Sequence, residues 1–389
     1  MRHPLARTVV EDTPAGSWEA AQETATGEDS LAWMDADGCV EAAHWVANVD
    51  ARIVRLRHQE SSLPLFLDGP HAAYNSYVAG ARAAWLEYAA HEALRSASPT
   101  RQRLLKGLAI APLALARAAF AAAGFTRAAW FDNPLFSTQL GSPVLASNVA
   151  HWRALALPQT AGRALFWRNV CADVEPVLPS ALRADGWRLL PARLVYLCDP
   201  SSSDLWKRNH VRRDHKLMRS DGVDWVPHAQ LTVEDIPALR RCFRAVFFDK
   251  HSALNPDFTD AFFARCLQPD SPLELLALRW QGQLVGVLAL YIQHGWLTTP
   301  LIGYDTTAPG PLGLYRRLMA RLLWEAKDRG LRLHYSSGAG DFKRHRGGEP
   351  VLEFTAVHSG ALSGPKRWMF EQIADQITQH APALLMRNG

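Results

Sequence analysis

Three apolar runs, Leu273 to Trp280, Leu284 to Ile292 and Trp296 to Leu301, follow one another with only Gln281-Gly282 and Gln293-His294-Gly295 between them. Connections that short join strands lying side by side and antiparallel, so this stretch reads as a meander. A glycine- and proline-rich loop, Gly303 to Pro311, then leads into an amphipathic helix from Leu312 to Arg329, which Gly330 closes. A strand over Leu331 to Ser336, a second glycine-rich loop, a strand over Val351 to Val357 and a terminal helix over Pro365 to His380 complete the order. Ahead of the meander the spacing predicts a basic helix over Asp204 to Arg219 and a short strand over Val223 to Val226. A further helix opens at Thr232, with Asp235 at the capping-box position and Ile236, Leu239, Phe243, Val246 and Phe247 at helical spacing. Another follows from Thr259.

The first half is less regular. Residues 1–30 are polar and without periodicity, and read as a loosely ordered leader. Ala51 to Leu67 partly alternates, Gly80 to Leu94 is Ala-rich and helical in pattern, and strand-like runs at Ala128 to Phe131 and Ala164 to Val170 bracket another helical stretch. Trp187 to Cys198 reads as a long strand ending at Asp199-Pro200. At 389 residues the chain exceeds one ordinary core, so two lobes are expected, 31–195 and 196–389. Leu104 to Phe125 is the most hydrophobic stretch, but Lys106, Pro112 and Arg117 interrupt it, and it reads as a buried helix rather than a membrane span. No secretory h-region opens the chain, and Cys39, Cys171, Cys198, Cys242 and Cys266 show neither a CxxC pair nor zinc-ligand spacing. A reducing cytoplasm and no metal are expected, His210, His215, His251 and His358 also lacking partners at ligand spacing.

A strand that passes through a Gly/Pro loop into a helix N-terminus collects backbone N–H groups where the helix dipole favours an anion. In the stretch from Tyr304 to Arg317, Pro309, Gly310, Leu312 and Gly313 form such a loop after Leu301, with Arg316 and Arg317 in the helix's first turns. It can hold a pyrophosphate; it can equally be an ordinary connection whose glycines turn the chain.

Helices, meander, loop, helix, strand, helix is also the order of the GNAT superfamily. The segments Leu297-Thr-Thr-Pro-Leu-Ile-Gly-Tyr-Asp305, Pro309-Gly-Pro-Leu-Gly-Leu-Tyr315 and Ser336-Ser-Gly-Ala-Gly-Asp-Phe-Lys-Arg-His-Arg-Gly-Gly-Glu-Pro350 resemble bacterial GNAT proteins, in particular the Fem-like and cellulose-biosynthesis-type acyltransferases. Phe342-Lys343-Arg344 and Gly347 resemble that group's Phe/Tyr-Lys-Arg-x-x-Gly segment, whereas the Gln/Arg-x-x-Gly-x-Gly/Ala acyl-CoA signature is not intact. The resemblance implies an α/β (α+β) chain of two GNAT-like lobes, each a mixed, mostly antiparallel sheet flanked by helices, with the donor site in the second. It implies an N-acyltransferase using acyl-CoA or another acyl thioester, an amine of a small metabolite or cell-wall precursor as acceptor, and a donor splayed between Trp296 to Leu301 and Leu331 to Ser336.

Direct attack by an amine needs a base, an oxyanion donor and juxtaposition of the reactants. Asp305 beside the loop is a base or amine anchor, or else a turn cap. Tyr304 can protonate a leaving thiolate or pack in the core. Lys343 and Arg346 can meet a phosphate or carboxylate, or lie in a solvated turn. Glu349 and Glu353 flank a strand start, and Glu353, among Val351, Leu352 and Phe354, is a base if it points inward. Trp206 to Arg219 carries six Lys/Arg against one Asp, and Lys207, Arg208, Arg212 and Lys216 fall on one helical stripe. Arg212 and Arg213 are therefore expected to bind an anionic substrate or carrier, acyl-carrier protein or tRNA included. An aminoacyl-tRNA-dependent Fem-like enzyme and a catalytically silent binding module remain the alternative readings.

Overall fold

The structure, a computed structural model, describes residues 41–58, 61–88, 90, 99–141 and 143–388. The expected leader, Cys39 and most of the second half of the Gly80 to Leu94 segment lie outside the described residues.

One twelve-stranded sheet runs through the molecule. Its strands in chain order are β1 (Ala51–His58), β2 (Ser61–Asp68), β3 (Ala128–Phe131), β4 (Ala164–Val170), β5 (Arg188–Cys198), β6 (Asp224–Val226), β7 (Leu273–Trp280), β8 (Gln283–Gln293), β9 (Trp296–Thr298), β10 (Ile302–Tyr304), β11 (Arg332–His334) and β12 (Glu349–His358). The α-helices are α1 (Pro99–Ala123), α2 (Pro143–Ser147), α3 (Val149–Ala156), α4 (Leu178–Ala184), α5 (Ser203–Lys207), α6 (Asn209–Met218), α7 (Ile236–Arg244), α8 (Asp260–Cys266), α9 (Leu314–Asp328), α10 (Gly340–Arg344) and α11 (Gly364–Asn388). The spatial order β1-β2-β3-β4-β12-β5-β11-β9-β8-β7-β6, with β10 also on β8, is that of a mixed, mostly antiparallel α/β architecture.

The meander folds as its spacing requires. β7 and β8 pair from Leu273↔Tyr291 to Trp280↔Gln283, and β8 pairs with β9 across the tight Gln293 to Trp296 connection. Thr232 and Asp235 form the expected capping box, and Thr259 Oγ1 accepts from the Phe262 N–H at the head of α8.

The last strand ties the chain together. β12 returns from the second half to lie antiparallel between β4 and β5. Phe66, Trp130 and Phe166 of the first half therefore share one buried core with Phe243, Phe262 and Leu275 of the second. The opposite sheet face carries a separate core in each half.

Two expectations are corrected. The Ala-rich stretch from Leu104 to Phe125 is helical as part of α1, but from residue 111 on, where its side chains are described, it is largely a surface helix: Ala111, Pro112, Ala114, Leu115 and Arg117 are exposed, while Phe120, Ala123 and Phe125 are buried. Alanine makes helix at little entropic cost without demanding burial. The basic segment is two helices rather than one, because Arg208 between α5 and α6 is extended at φ −62° and ψ 134°. Lys207, paired with Asp204, is thereby separated from the stripe on α6.

Candidate functional site

The site begins where two parallel strands part. β9 and β11 are in parallel register from Trp296↔Arg332 to Thr298↔His334, and Thr298 Oγ1 donates to the His334 carbonyl at 2.8 Å. Beyond that point β10 follows β8, not β11. Tyr291 faces Thr298 but Leu288 faces Ile302, so four steps on one strand match three on the other. The extra residue is a bulge at Thr299-Pro300-Leu301, the kind of irregularity that bends a strand and re-aims its side chains. On the other side Tyr335 and Ser336 stay with β5 through Tyr335 N to the Tyr196 carbonyl, 2.8 Å, and Tyr196 N to the Ser336 carbonyl, 3.2 Å. A wedge opens between the two paths, floored by Thr298 and His334.

The loop after β10 lies beside this wedge. Pro309 and Gly310 are exposed, and a Cβ added to Gly310 would meet nothing within 4 Å. Gly313 begins α9 in the left-handed region at φ +58°, with no side-chain cap, leaving the first-turn N–H groups for solvent or a ligand. Its need for glycine has a second cause: a Cβ there would sit 2.8 Å from Leu217 Cδ2 of α6. The basic helix thus packs directly on the loop.

Arginines fasten this contact. Arg317 is buried, with Nε on the Leu312 carbonyl, Nη1 on the Ser220 carbonyl and Nη2 on Ser220 Oγ. Its guanidinium is thus a structural latch, not the phosphate ligand expected from its place in the sequence. Arg316 and Arg346 share one carboxylate, that of Asp214, with Nε to Oδ distances of 2.6 Å each. Arg346 is buried against the Phe342 ring, 3.3 Å from its centroid, instead of lying in a solvated turn. Arg316 remains half exposed.

The proposed reacting groups divide. Asp305 caps its own turn, accepting from Thr307 N at 2.8 Å and Thr307 Oγ1 at 2.6 Å, and these bonds hold its carboxyl below the usual range. Tyr304 accepts from Lys250 Nζ at 3.0 Å and its ring lies 6.1 Å from that of Tyr315, which packs in turn on Phe342. Lys343 is buried, with Nζ on the carbonyls of Ser337 (2.6 Å) and Ser336 (3.3 Å); burial, with Arg193 nearby, pushes its ammonium down to about 7. Asp305 is thus held by Thr307 and Lys343 by Ser336 and Ser337, each in its own wall of the wedge. Leu301 is fully buried, its carbonyl accepting from Ala289 N and Thr299 Oγ1, and Leu312 is half-buried at the loop's end. Glu349 is exposed at the head of β12.

The sequence over 207–344 matches the family model of an acetyltransferase (GNAT) domain. Residues 207–344 carry a GNAT-type domain. No curated protein matches the chain in sequence. Among solved structures it is similar to L-PGS from Bacillus licheniformis, at 12% identity over 90% of this chain and 96% of that one with a TM-score of 0.49. It is also similar to FemX, at 8% identity over 84% and 91% with a TM-score of 0.48. A GCN5-related N-acetyltransferase from Kribbella flavida aligns at 15% identity over 60% and 82%, TM-score 0.32.

Under the wedge lies a buried polar cluster that straddles both halves of the chain. Glu353 points inward and is 2% exposed. Burial alone would raise its carboxyl, but Arg193, with Nε 2.5 Å from Oε1, outweighs that and holds it below the usual range; Asn169 Nδ2 adds a bond at 3.0 Å. His334 faces the same carboxylate at 3.8 Å through Nε2, while its Nδ1 accepts from Ser336 N at 3.0 Å. Burial pushes that imidazole down to about 4, so it is neutral and protonated on Nε2.

Sequence reasoning missed two groups. Asp214 is the one acid in the basic run, and its spacing from Val211 and Met218, all three buried on one face of α6, was a usable signal. Arg193 sits in a strand read for its length alone; no local pattern marks its pairing with a residue 160 positions away. Among the described residues no group of His, Cys, Asp and Glu is arranged to hold a metal, and no helix is long and apolar enough to cross a membrane.

Proposed function

We propose that this GNAT acyltransferase is an N-acyltransferase that takes its acyl group from a thioester or ester donor seated in the wedge between β10 and the Tyr335–Ser337 segment, and passes it to an amine. The observation that carries the reading is the parting of β9 and β11 next to an open, uncapped helix start at Gly310 to Leu314. The N–H groups of Gly310 and of the first turn of α9 from Leu314 suit a donor's phosphates, and half-exposed Arg316 adds positive charge. An acyl-CoA, as co-substrate, would supply the activated thioester. The chain's residues hold the donor in place, keep the wedge walls apart and bring the amine within reach, which is where most of the rate gain of such direct transfers arises.

Asp305, already ionised and cap-bound, suits an amine anchor better than a proton acceptor. Gly310→Trp tests the donor assignment. The open space around Gly310 predicts an unfolding free energy within about 0.5 kcal/mol of wild type. Acetyl-CoA affinity by titration calorimetry is expected to fall at least about tenfold, roughly 1.4 kcal/mol. Unchanged affinity would remove the loop from the donor site.

A second reading, a donor delivered on a polyanionic carrier such as aminoacyl-tRNA, is favoured by one observation. Arg212, Arg213, Lys216 and Arg219, with Asn209, line an open concavity of about 770 Å3 on α6, the helix that packs on the donor loop.

A further inference from the structure

The first half of the chain reaches into the wedge. The loop after β3, from Asp132 to Leu140, is buried throughout except at Ser137. Loops ordinarily run over the surface, where water satisfies their backbone. This one is instead held from within: Asn133 Nδ2 donates to the Val78 carbonyl at 2.7 Å, Arg168 Nη1 to the Phe136 carbonyl at 3.0 Å and Gln139 Nε2 to the Asp132 carbonyl at 2.8 Å. So held, its tip touches both walls of the wedge. Ser137 Oγ donates to the carbonyl of Pro300 in the bulge at 3.4 Å, and Thr138 Oγ1 lies 2.6 Å from Ser336 Oγ.

Ser336 is the corner of the second wall. It is a non-glycine residue at φ +62°, a conformation that persists only where its surroundings over-determine it. Its N–H goes to His334, its carbonyl accepts from Tyr196 N and Lys343 Nζ, and its hydroxyl meets Thr138. Of these contacts, the Thr138 bond alone comes from the first half. Arg193 Nη2 donates to Thr138 Oγ1 at 3.0 Å, and a guanidinium on that oxygen makes the threonine O–H the stronger donor toward Ser336. Glu353 holds Arg193 in turn, at a place where both neighbours of β12 are irregular: β4 carries an extra residue opposite Phe354 to Ala356, and β5 one opposite Glu353 to Phe354. Left-handed Asn169, at φ +59°, lies in the first of these bulges and bonds Glu353.

We propose that Thr138 is a positioning residue of the donor wedge, supplied by the first lobe: through Ser336 it sets the separation of the wedge walls, with the buried Arg193–Glu353 pair holding it in place. The proposal rests on the donor reading above. Thr138→Val keeps the side chain's shape and removes its hydroxyl, whereas Thr138→Ser keeps the hydroxyl. Loss of one such bond is expected to speed amide exchange at Tyr335 and Ser336 and to weaken acetyl-CoA binding, each about tenfold, with both restored to within about twofold in Thr138→Ser. A merely structural threonine would raise exchange across the whole sheet and leave affinity alone once global stability, measured by urea unfolding, is taken into account. Wild type that binds acetyl-CoA, with Thr138→Val binding it within twofold as tightly, overturns this proposal alone. Wild type that binds neither acetyl-CoA nor longer acyl-CoAs overturns the donor reading and the proposal with it.

Discussion

The chain builds the same local device twice and finishes it in opposite ways. In the first half β3 and β4 lie parallel from Ala128↔Ala164 to Phe131↔Trp167, joined through a loop and the helices α2 and α3; in the second, β9 and β11 lie parallel and are joined through β10, a loop and α9. The first loop turns inward, with Leu135 and Phe136 in the core and left-handed residues at Asp132 and Leu135. The second turns outward, with Thr306, Thr307, Pro309, Gly310 and Pro311 exposed. Parallel strands that part make a cleft available, and the direction of the following loop decides whether the chain's own side chains fill it. Topology alone therefore does not locate chemistry. The filled copy still reaches the open one, its buried loop bonding Pro300 and Ser336.

Truncation should separate the two loops most sharply. Phe136→Ala removes a ring packed against Phe262 and Tyr291 and is expected to cost about 3–5 kcal/mol. Pro311→Ala, in the exposed second loop, should stay within about 0.5 kcal/mol. Urea unfolding of both variants measures the difference, and comparable losses would break the contrast between a filled and an open cleft.

Much of the second half was legible in the sequence because its signals are local. Two- and three-residue connections force the meander, Thr232 with Asp235 caps a helix, and Gly330 at φ +66° ends another. The same locality explains what was not legible. Nothing around Val351 to Val357 announces that β12 inserts between strands laid down more than 150 positions earlier, nor that bulges in β4 and β5 converge on Glu353. Arg316, Arg317 and Arg346 carry the charge expected of anion ligands, but their fates depend on Asp214 and Ser220, brought in by a helix far along the chain. The inward turn of Glu353 was readable from its apolar neighbours; its partner was not.

The buried cluster joining the halves gives the next largest effect. Both His334 and Glu353 have folded-state pKa values depressed below their unfolded ones, so the stability each contributes is present at higher pH and lost as pH falls. For His334 the window runs from its ordinary value near 6.5 down to about 4, a loss of about 3 kcal/mol across it; Glu353 extends the decline below the usual carboxylate range. Urea unfolding from pH 7 to pH 4 should show this slope in wild type, and His334→Gln should remove most of it above pH 4.5. A wild-type stability flat over that window would mean that the cluster does not hold the halves together as the geometry requires.

The smallest effect concerns the basic face of α6, which packs beside the open copy of the device. Arg212 and Arg213 are exposed and line the concavity on α6, so Arg212→Glu with Arg213→Glu should leave stability nearly untouched, within about 1 kcal/mol. Its value lies in telling the two donor readings apart. A phosphodiester carrier that these side chains touch releases about one counterion per phosphate contacted, so the slope of log affinity against log salt should flatten by about two in the double variant. For a small acyl-CoA held at Gly310 to Leu314 without these side chains, the salt slope should change by much less. Titrating charged tRNA and acetyl-CoA in parallel at several salt concentrations measures both slopes. If neither responds, the face is a solvated one and the open cleft works without it. If the tRNA slope alone responds, the outward turn of the second loop serves a carrier as well as a donor.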